Sequence, residues 1–251
     1  MRAQTHPSFT VHNDAQRVAE AVAGQLIETL AGAQALRGSA SVVLTGGRTG
    51  IAVLEQVRIA PARDDVEWSA VDFFWGDDRF VGGSHPDRNE LQARRALLDH
   101  LDVDPGRVHP MEPSDGKFGP DAGISARAYR QLIADHRVEG EPLFDVCLLG
   151  VGEDGHVASL FPGLDAVQEQ ALTALSVHGS PKPPPTRITL TLPALCESRE
   201  VWLLATGEGK AEAVARVLAG ASAFDVPAAG VRGLDRTLWF LDSAAVGTTE
   251  E

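Results

Sequence analysis

Ser41-Val42-Val43-Leu44-Thr45-Gly46-Gly47-Arg48-Thr49-Gly50 is the stretch on which the fold turns. Its first half is short, β-branched and continuously apolar, without the alternation of a strand that has one wet face. It reads as a strand covered on both sides in a parallel sheet. Parallel strands need a crossover, usually a helix, and Thr49 to Val57 supplies one. On the amino-terminal side, Val18, Val22, Leu26, Ile27 and Leu30 recur at three-and-four spacing. They predict an amphipathic helix over residues 13 to 36, capped by Asn13 or Asp14.

Toward the carboxyl end, strand-like and helix-like segments alternate. Val71 to Trp75 reads as strand, Glu90 to His100 and Asp121 to Val138 as helices, and Leu143 to Leu149 as a buried strand. Arg187 to Leu192 and Glu200 to Thr206 read as strands, Gly209 to Leu218 as helix, and Thr237 to Leu241 as a last strand. This order predicts a doubly wound α/β fold, a mostly parallel sheet with helices on both faces. The one biased segment, Ser180-Pro181-Lys182-Pro183-Pro184-Pro185, is too short to join two domains, so residues 1–251 read as one domain. Residues 243 to 251, small and acidic, are expected to fray.

With 251 residues, 43% of them hydrophobic, the chain can bury a sizeable core and is not a disordered tail. Its 35 acidic and 22 basic side chains leave a net charge of −13, which phosphate backbones and anionic membranes repel. The apolar runs fall far short of the roughly 20 residues that cross a bilayer. Met1 to Phe9 has no basic segment leading into an apolar one, so no export is implied. Nucleic acid and membrane are therefore not expected partners. An anionic small ligand stays compatible, because a few converging cations can reverse the local potential. Cys147 and Cys196 show no Cys-x-x-Cys or Cys/His ligand spacing, which gives no case for zinc, and Cys147 lies in an apolar run expected to be core.

Chemistry-bearing residues gather at strand ends, where open α/β sheets bind ligands. Gly46 and Gly47 lie where a buried strand enters a helix; such a junction offers bare backbone N–H groups and a dipole that favours an anion. Gly-Gly is also the ordinary closure of a tight turn. The stretch is neither a dinucleotide fingerprint nor a P-loop, so a single phosphate fits it better than a nucleotide. Asp77-Asp78-Arg79 follows the strand ending at Trp75, with Asp87-Arg88-Asn89 close behind; a solvated turn is the plain alternative. Gly150-Val151-Gly152-Glu153-Asp154-Gly155-His156 follows a third buried strand. Histidine is the side chain suited to moving a proton near neutral pH, and Asp154 stands where it could orient the ring. The other seven histidines, His6, His12, His85, His100, His109, His136 and His178, are read as surface or capping residues. Lys210 opens a helix, where the dipole disfavours a cation unless an anion lies between them.

Taken together, Thr45-Gly46-Gly47, Phe73-Phe74-Trp75-Gly76-Asp77-Asp78-Arg79, the Gly150 to His156 run with Ser159-Leu160-Phe161-Pro162, and Ser180 to Pro185 with Arg187-Ile188-Thr189-Leu190 resemble the 6-phosphogluconolactonases. The resemblance spans roughly residues 40 to 215. It implies hydrolysis of 6-phospho-D-glucono-1,5-lactone to 6-phosphogluconate in the pentose phosphate pathway, a cytoplasmic location, no cofactor or metal, and a fold shared with glucosamine-6-phosphate deaminases. It further implies catalysis by His156 with its acidic neighbour Asp154, and by Asp77, which matches the strand-end carboxylate used as a base in the related deaminases. It also implies sugar-phosphate binding by Gly46, Gly47, Thr49, Arg79, Arg187 and Lys210. Many relatives have serine and proline where this chain has Arg48 and Gly50, so a hydroxyl is lost and Arg48 joins the candidate phosphate ligands.

Two other readings stand beside this one. An amino-sugar phosphate deaminase or isomerase would use the same scaffold, but its strand-end motif continues with Glu-Tyr, whereas Asp78-Arg79 follow here. A sugar-phosphate-sensing module of a regulator would need a basic DNA-binding segment, and the first 40 residues read as one helix. Oligomeric state is left open, a monomer being compatible.

Overall fold

The computed structural model describes residues 6–247. In chain order the elements are β1 (Ser8–His12), α1 (Ala15–Arg37), β2 (Ala40–Leu44), α2 (Gly47–Ile59), β3 (Val71–Trp75), β4 (Asp77–Arg79), α3 (Asn89–Ala96), α4 (Ala122–His136) and β5 (Phe144–Gly150). Then follow β6 (Ala174–Val177), β7 (Arg187–Leu190), α5 (Leu192–Cys196), β8 (Ser198–Ala205), α6 (Ala211–Leu218), α7 (Pro227–Gly230), β9 (Arg236–Asp242) and α8 (Ser243–Val246).

Six strands form one sheet in the order β1-β9-β8-β5-β2-β3, with every pair parallel. Side chains alternate across it as strand geometry requires. Val42, Leu44, Phe73, Trp75, Leu148 and Trp202 point to a core made with α1, α2 and α3. Val43, Phe74, Cys147, Leu149, Val201 and Leu203 point to a second core under α4 and α6. Both faces are covered, which is why these strands read as continuous apolar runs. Cys147 is fully buried, as expected, and burial pushes its thiol up out of the titrating range. Asp14 caps α1 by accepting from the Arg17 N–H at 2.8 Å, and Gly38 ends it in the left-handed conformation. From β2 the chain steps to β3 on one side, while β5 lies on the other side. The switch point of the sheet is therefore the crevice past the ends of β2 and β5.

Several expectations need correction. The strand read over Arg187 to Leu192 ends at Leu190 as β7, which centres a separate sheet, β4-β7-β6, in which both pairings are antiparallel. Gly76 makes the junction, its N–H donating to Leu44 O in the large sheet (3.1 Å) and its carbonyl accepting from Leu190 N (2.8 Å) in the small one. The expected helix Glu90 to His100 ends at Ala96, because Leu97 leaves helical geometry (φ −141°, ψ −58°) to reach the core. Residues 243 to 246 do not fray: they form α8, with Ala245 fully buried and Asp242 capping it. The expectation for 248–251, and that for Met1 to Thr5, lie outside the described residues, whereas Ser8 and Phe9 belong to β1. His109 is buried rather than at the surface, paired with Asp72.

Candidate active site

A cavity of about 240 Å³ lies at the switch point, past the ends of β2 and β5. Thr45, the residue after β2, spans the crevice by accepting the Gly150 N–H on its hydroxyl at 3.2 Å. Gly46, Gly47, Arg48 and Thr49 form one wall at the start of α2, where no side chain caps the helix and its first N–H groups lack intrahelical partners. A Cβ on Gly46 would lie 1.9 Å from Asn89 Oδ1, so only glycine lets the loop approach α3 this closely. Across the wall, the Thr49 and Thr206 hydroxyls bond at 2.7 Å.

The second wall is the loop after β5. Asp154 Oδ1 accepts from His156 Nδ1 at 2.5 Å and from the His156 backbone N–H at 3.3 Å. Since an ionised carboxylate only accepts, Nδ1 carries a proton, and in the neutral ring Nε2 then keeps a free lone pair. Burial alone would raise Asp154, but the hydrogen bond and charge of His156 outweigh it and hold the carboxyl down at about 2. The imidazole packs on Phe161, ring centroids 4.5 Å apart. Gly152 must be bare beside it: a Cβ there would meet His156 Nδ1 at 1.9 Å.

The floor comes from β4. Asp77, carried out of the large sheet by the Gly76 junction, is buried and accepts from Ser159 Oγ at 2.6 Å and from Asn89 Nδ2 at 3.1 Å, with Arg187 Nη1 at 3.7 Å. Arg187 is itself anchored by the carbonyls of Lys182, Pro183 and Pro184 and lies over the Phe161 ring. Burial lowers its affinity for its proton. Arg79 donates to Asn89 Oδ1 (2.6 Å) and Asp87 O (2.7 Å). The neighbouring Asp78 turns away from the cavity into a buried pair with Arg88 at 3.0 Å, and burial pushes it up to about 6 although Arg88 opposes the shift.

The remaining cations are Arg48, Lys182 and Lys210, none of which makes an ion pair among the described residues. Burial lowers Lys210, and the Lys182 and Arg48 charges nearby add to that, with Glu153 pulling the other way. Five cationic side chains thus line a cavity that holds one carboxylate, Asp77, in a chain of net charge −13. That local reversal of sign is what an anionic ligand requires.

The structure brings His156, Asp77, Gly46, Gly47, Arg48, Thr49, Arg79, Arg187 and Lys210 to one cavity, with Asp154 directly behind His156. Sequence reasoning did not single out Asn89, Lys182, Thr206 or Ser159 as site residues. Asn89 and Ser159 stand inside quoted motifs, but their partners lie 12 and 82 positions away along the chain. Lys182 was visible only as part of a stiff proline segment.

Residues 13–239 match the family described as Glucosamine-6-phosphate isomerases/6-phosphogluconolactonase, and the chain belongs to that family. It is 55% identical over 243 residues to the 6-phosphogluconolactonase of Streptomyces coelicolor, covering 95% of this chain and 93% of that one. It is 48% identical over 240 residues to the 6-phosphogluconolactonase of Mycobacterium tuberculosis, covering 95% and 96%. The solved 6-phosphogluconolactonase of Trypanosoma brucei superposes with a TM-score of 0.83 at 29% identity, covering 96% of this chain and 98% of that one. A monomeric glucosamine-6-phosphate deaminase shares the fold, with a TM-score of 0.78 at 19% identity over 95% of this chain and 98% of its own. No helix of the described residues is long and apolar enough to cross a membrane.

Proposed function

We propose that this chain is a 6-phosphogluconolactonase that opens 6-phospho-D-glucono-1,5-lactone by a single-imidazole, water-mediated mechanism. One observation carries the reading: an imidazole with its Nδ1 tied to Asp154 and its Nε2 free shares a cavity with unpaired cations and an uncapped helix start. The names of the relatives support the substrate. His156 Nε2 takes a proton from water as its oxygen bonds to the lactone C1. The carbonyl π pair moves onto oxygen, giving a tetrahedral oxyanion beside the Arg187 guanidinium. The oxyanion then re-forms the carbonyl, the bond from C1 to the ring oxygen breaks, and His156 returns its proton to that oxygen. The products are a hydroxyl and a carboxylic acid, which ionises in water. Asp154 holds the ring and stabilises its charged form, in the manner of the orienting carboxylate of a catalytic triad. Asp77 holds Arg187 and Ser159 in place on the floor.

The phosphate, at the other end of the substrate, meets the α2 start with Arg48, Thr49 and Lys210. Binding energy gathered there positions C1 for attack, so it raises turnover as well as affinity. The test compares hydrolysis of 6-phosphogluconolactone with that of unphosphorylated gluconolactone in the parent and in Lys210→Ala. The parent is expected to favour the phosphorylated lactone by at least about 100-fold in kcat/KM. Lys210→Ala should erode that preference while leaving the unphosphorylated rate unchanged. Equal rates on both lactones in the parent would overturn the phosphate assignment.

A further inference from the structure

We propose that Asp72, His109 and His136 form a binding site for a divalent transition-metal ion of the zinc class, at the end of the sheet opposite the catalytic cavity. Asp72 is the second residue of β3 and Asp77 follows the strand's far end, so the two sites stand about 17 Å apart at the rise of an extended chain. One ligand atom from each of the three side chains lies within 4.8 Å of the other two.

Asp72 and His109 are already held in contact with each other, at 2.9 Å, and His136 stands beside them. His109 is buried, its backbone N–H bonded to Phe73 O at 2.8 Å and its ring stacked on Phe74 with centroids 4.6 Å apart. His136 is the last residue of α4, where the helix dipole favours a cation. Its Nδ1 bonds the Leu132 carbonyl at 2.8 Å, which fixes the proton there and leaves Nε2 with a bare lone pair. A backbone carbonyl on the second ring nitrogen is the usual support of a metal-binding histidine. Asp72 Oδ2 is anchored by Arg107 Nη1 at 2.6 Å, so Oδ1 is the oxygen presented to the imidazoles.

The spacing fits a small tetrahedral ion. His109 Nε2 and Asp72 Oδ1 are 2.9 Å apart. Ligands at about 2.0 to 2.2 Å from a tetrahedral zinc stand about 3.3 Å from one another, so the ion would take the place of the proton these atoms share with little widening. His136 is exposed, its ring set edge-on to that of His109 with centroids 4.2 Å apart, and a small shift of this side chain completes the set. A cavity of about 300 Å³ bordered by Asp72, His136 and Glu141 provides the way in and room for a water as fourth ligand. Two histidines and one carboxylate are a recognised nitrogen and oxygen donor set for zinc. The charge of Arg107 beside the carboxylate weakens its hold on a cation.

Equilibrium dialysis of the full chain against Zn²⁺ at neutral pH tests this. One ion per chain is expected to bind with a Kd on the order of micromolar, and His136→Ala and Asp72→Asn should each weaken it at least about 10-fold. His156→Ala should leave it unchanged. Because the ion ties β3 to the end of α4, Zn²⁺ at about 100 times its Kd should raise Tm by about 5 °C, and His136→Ala should abolish that shift. His136 is exposed, so its replacement leaves the fold intact and decides the matter even if Asp72→Asn does not fold. Absence of binding up to millimolar Zn²⁺, binding that His136→Ala leaves intact, or binding that His156→Ala abolishes would each overturn the proposal.

Discussion

In the proposed mechanism two residues, His156 and Asp154, concentrate the chemistry, and their hydrogen bond also has a thermodynamic consequence. Asp154 is held below its ordinary 3.8, at about 2, so between those values the unfolded chain binds more protons than the folded one. Its contribution to stability is thus fully present above about pH 4 and is lost as pH falls toward 2. Discounted for its half-exposed position, that contribution is about 1 kcal/mol at neutral pH. Urea unfolding of the parent and Asp154→Asn should differ by this amount at pH 6 and converge near pH 2; a constant difference would contradict the assignment. Gly152→Ala, which forces a methyl to 1.9 Å from His156 Nδ1, should lower kcat at least about 10-fold with little loss of Tm. His156, Asp154 and Gly152 were legible because chemistry and backbone freedom are both written in one short run. Asn89 was not, since its amide matters only through Asp77, Arg79 and Gly46, which reach it from two other strand ends.

At the scale of elements, the site depends on one strand that changes sheets. β3 is the edge strand of the large sheet, and Trp75 at its end has no further strand to bond. Tyr129 of α4 fills the role instead, its hydroxyl accepting from Trp75 N at 3.0 Å and donating to Trp75 O at 3.2 Å. Tyr129→Phe would strand both backbone groups in a buried setting and should cost about 1 to 3 kcal/mol in denaturant unfolding. An unchanged midpoint would show that this tie contributes nothing. The long strands and α1 could be read because burial on two faces and on one helical face leave distinct apolar patterns. β4 could not, because its three residues are all charged and are strand only through pairing with β7, more than 100 positions on. β1 was hidden for a related reason: it is an exposed edge strand with no alternation to betray it. Gly76 supplies the missing link, and no local pattern announces that a glycine joins two sheets.

Over the whole molecule, two apolar cores lie against opposite faces of the same strands, with Val42 and Leu44 in one and Val43 in the other. Neither can dissolve without exposing the sheet that the other needs, so the chain should unfold as one unit. Far-UV circular dichroism and the fluorescence of Trp75, Trp202 and Trp239, which sample both cores, are expected to share one denaturation midpoint; separate midpoints would indicate two domains. The net charge is negative, and the cavity at the sheet's switch point gathers the helix start, five cations and the imidazole beside one carboxylate. The most direct measurement is turnover on freshly generated 6-phosphogluconolactone, followed by coupled assay, in the parent and in His156→Ala. Loss of at least about 100-fold in kcat with an unaltered circular dichroism spectrum is the predicted result. Undiminished turnover in the variant would contradict the role given to His156.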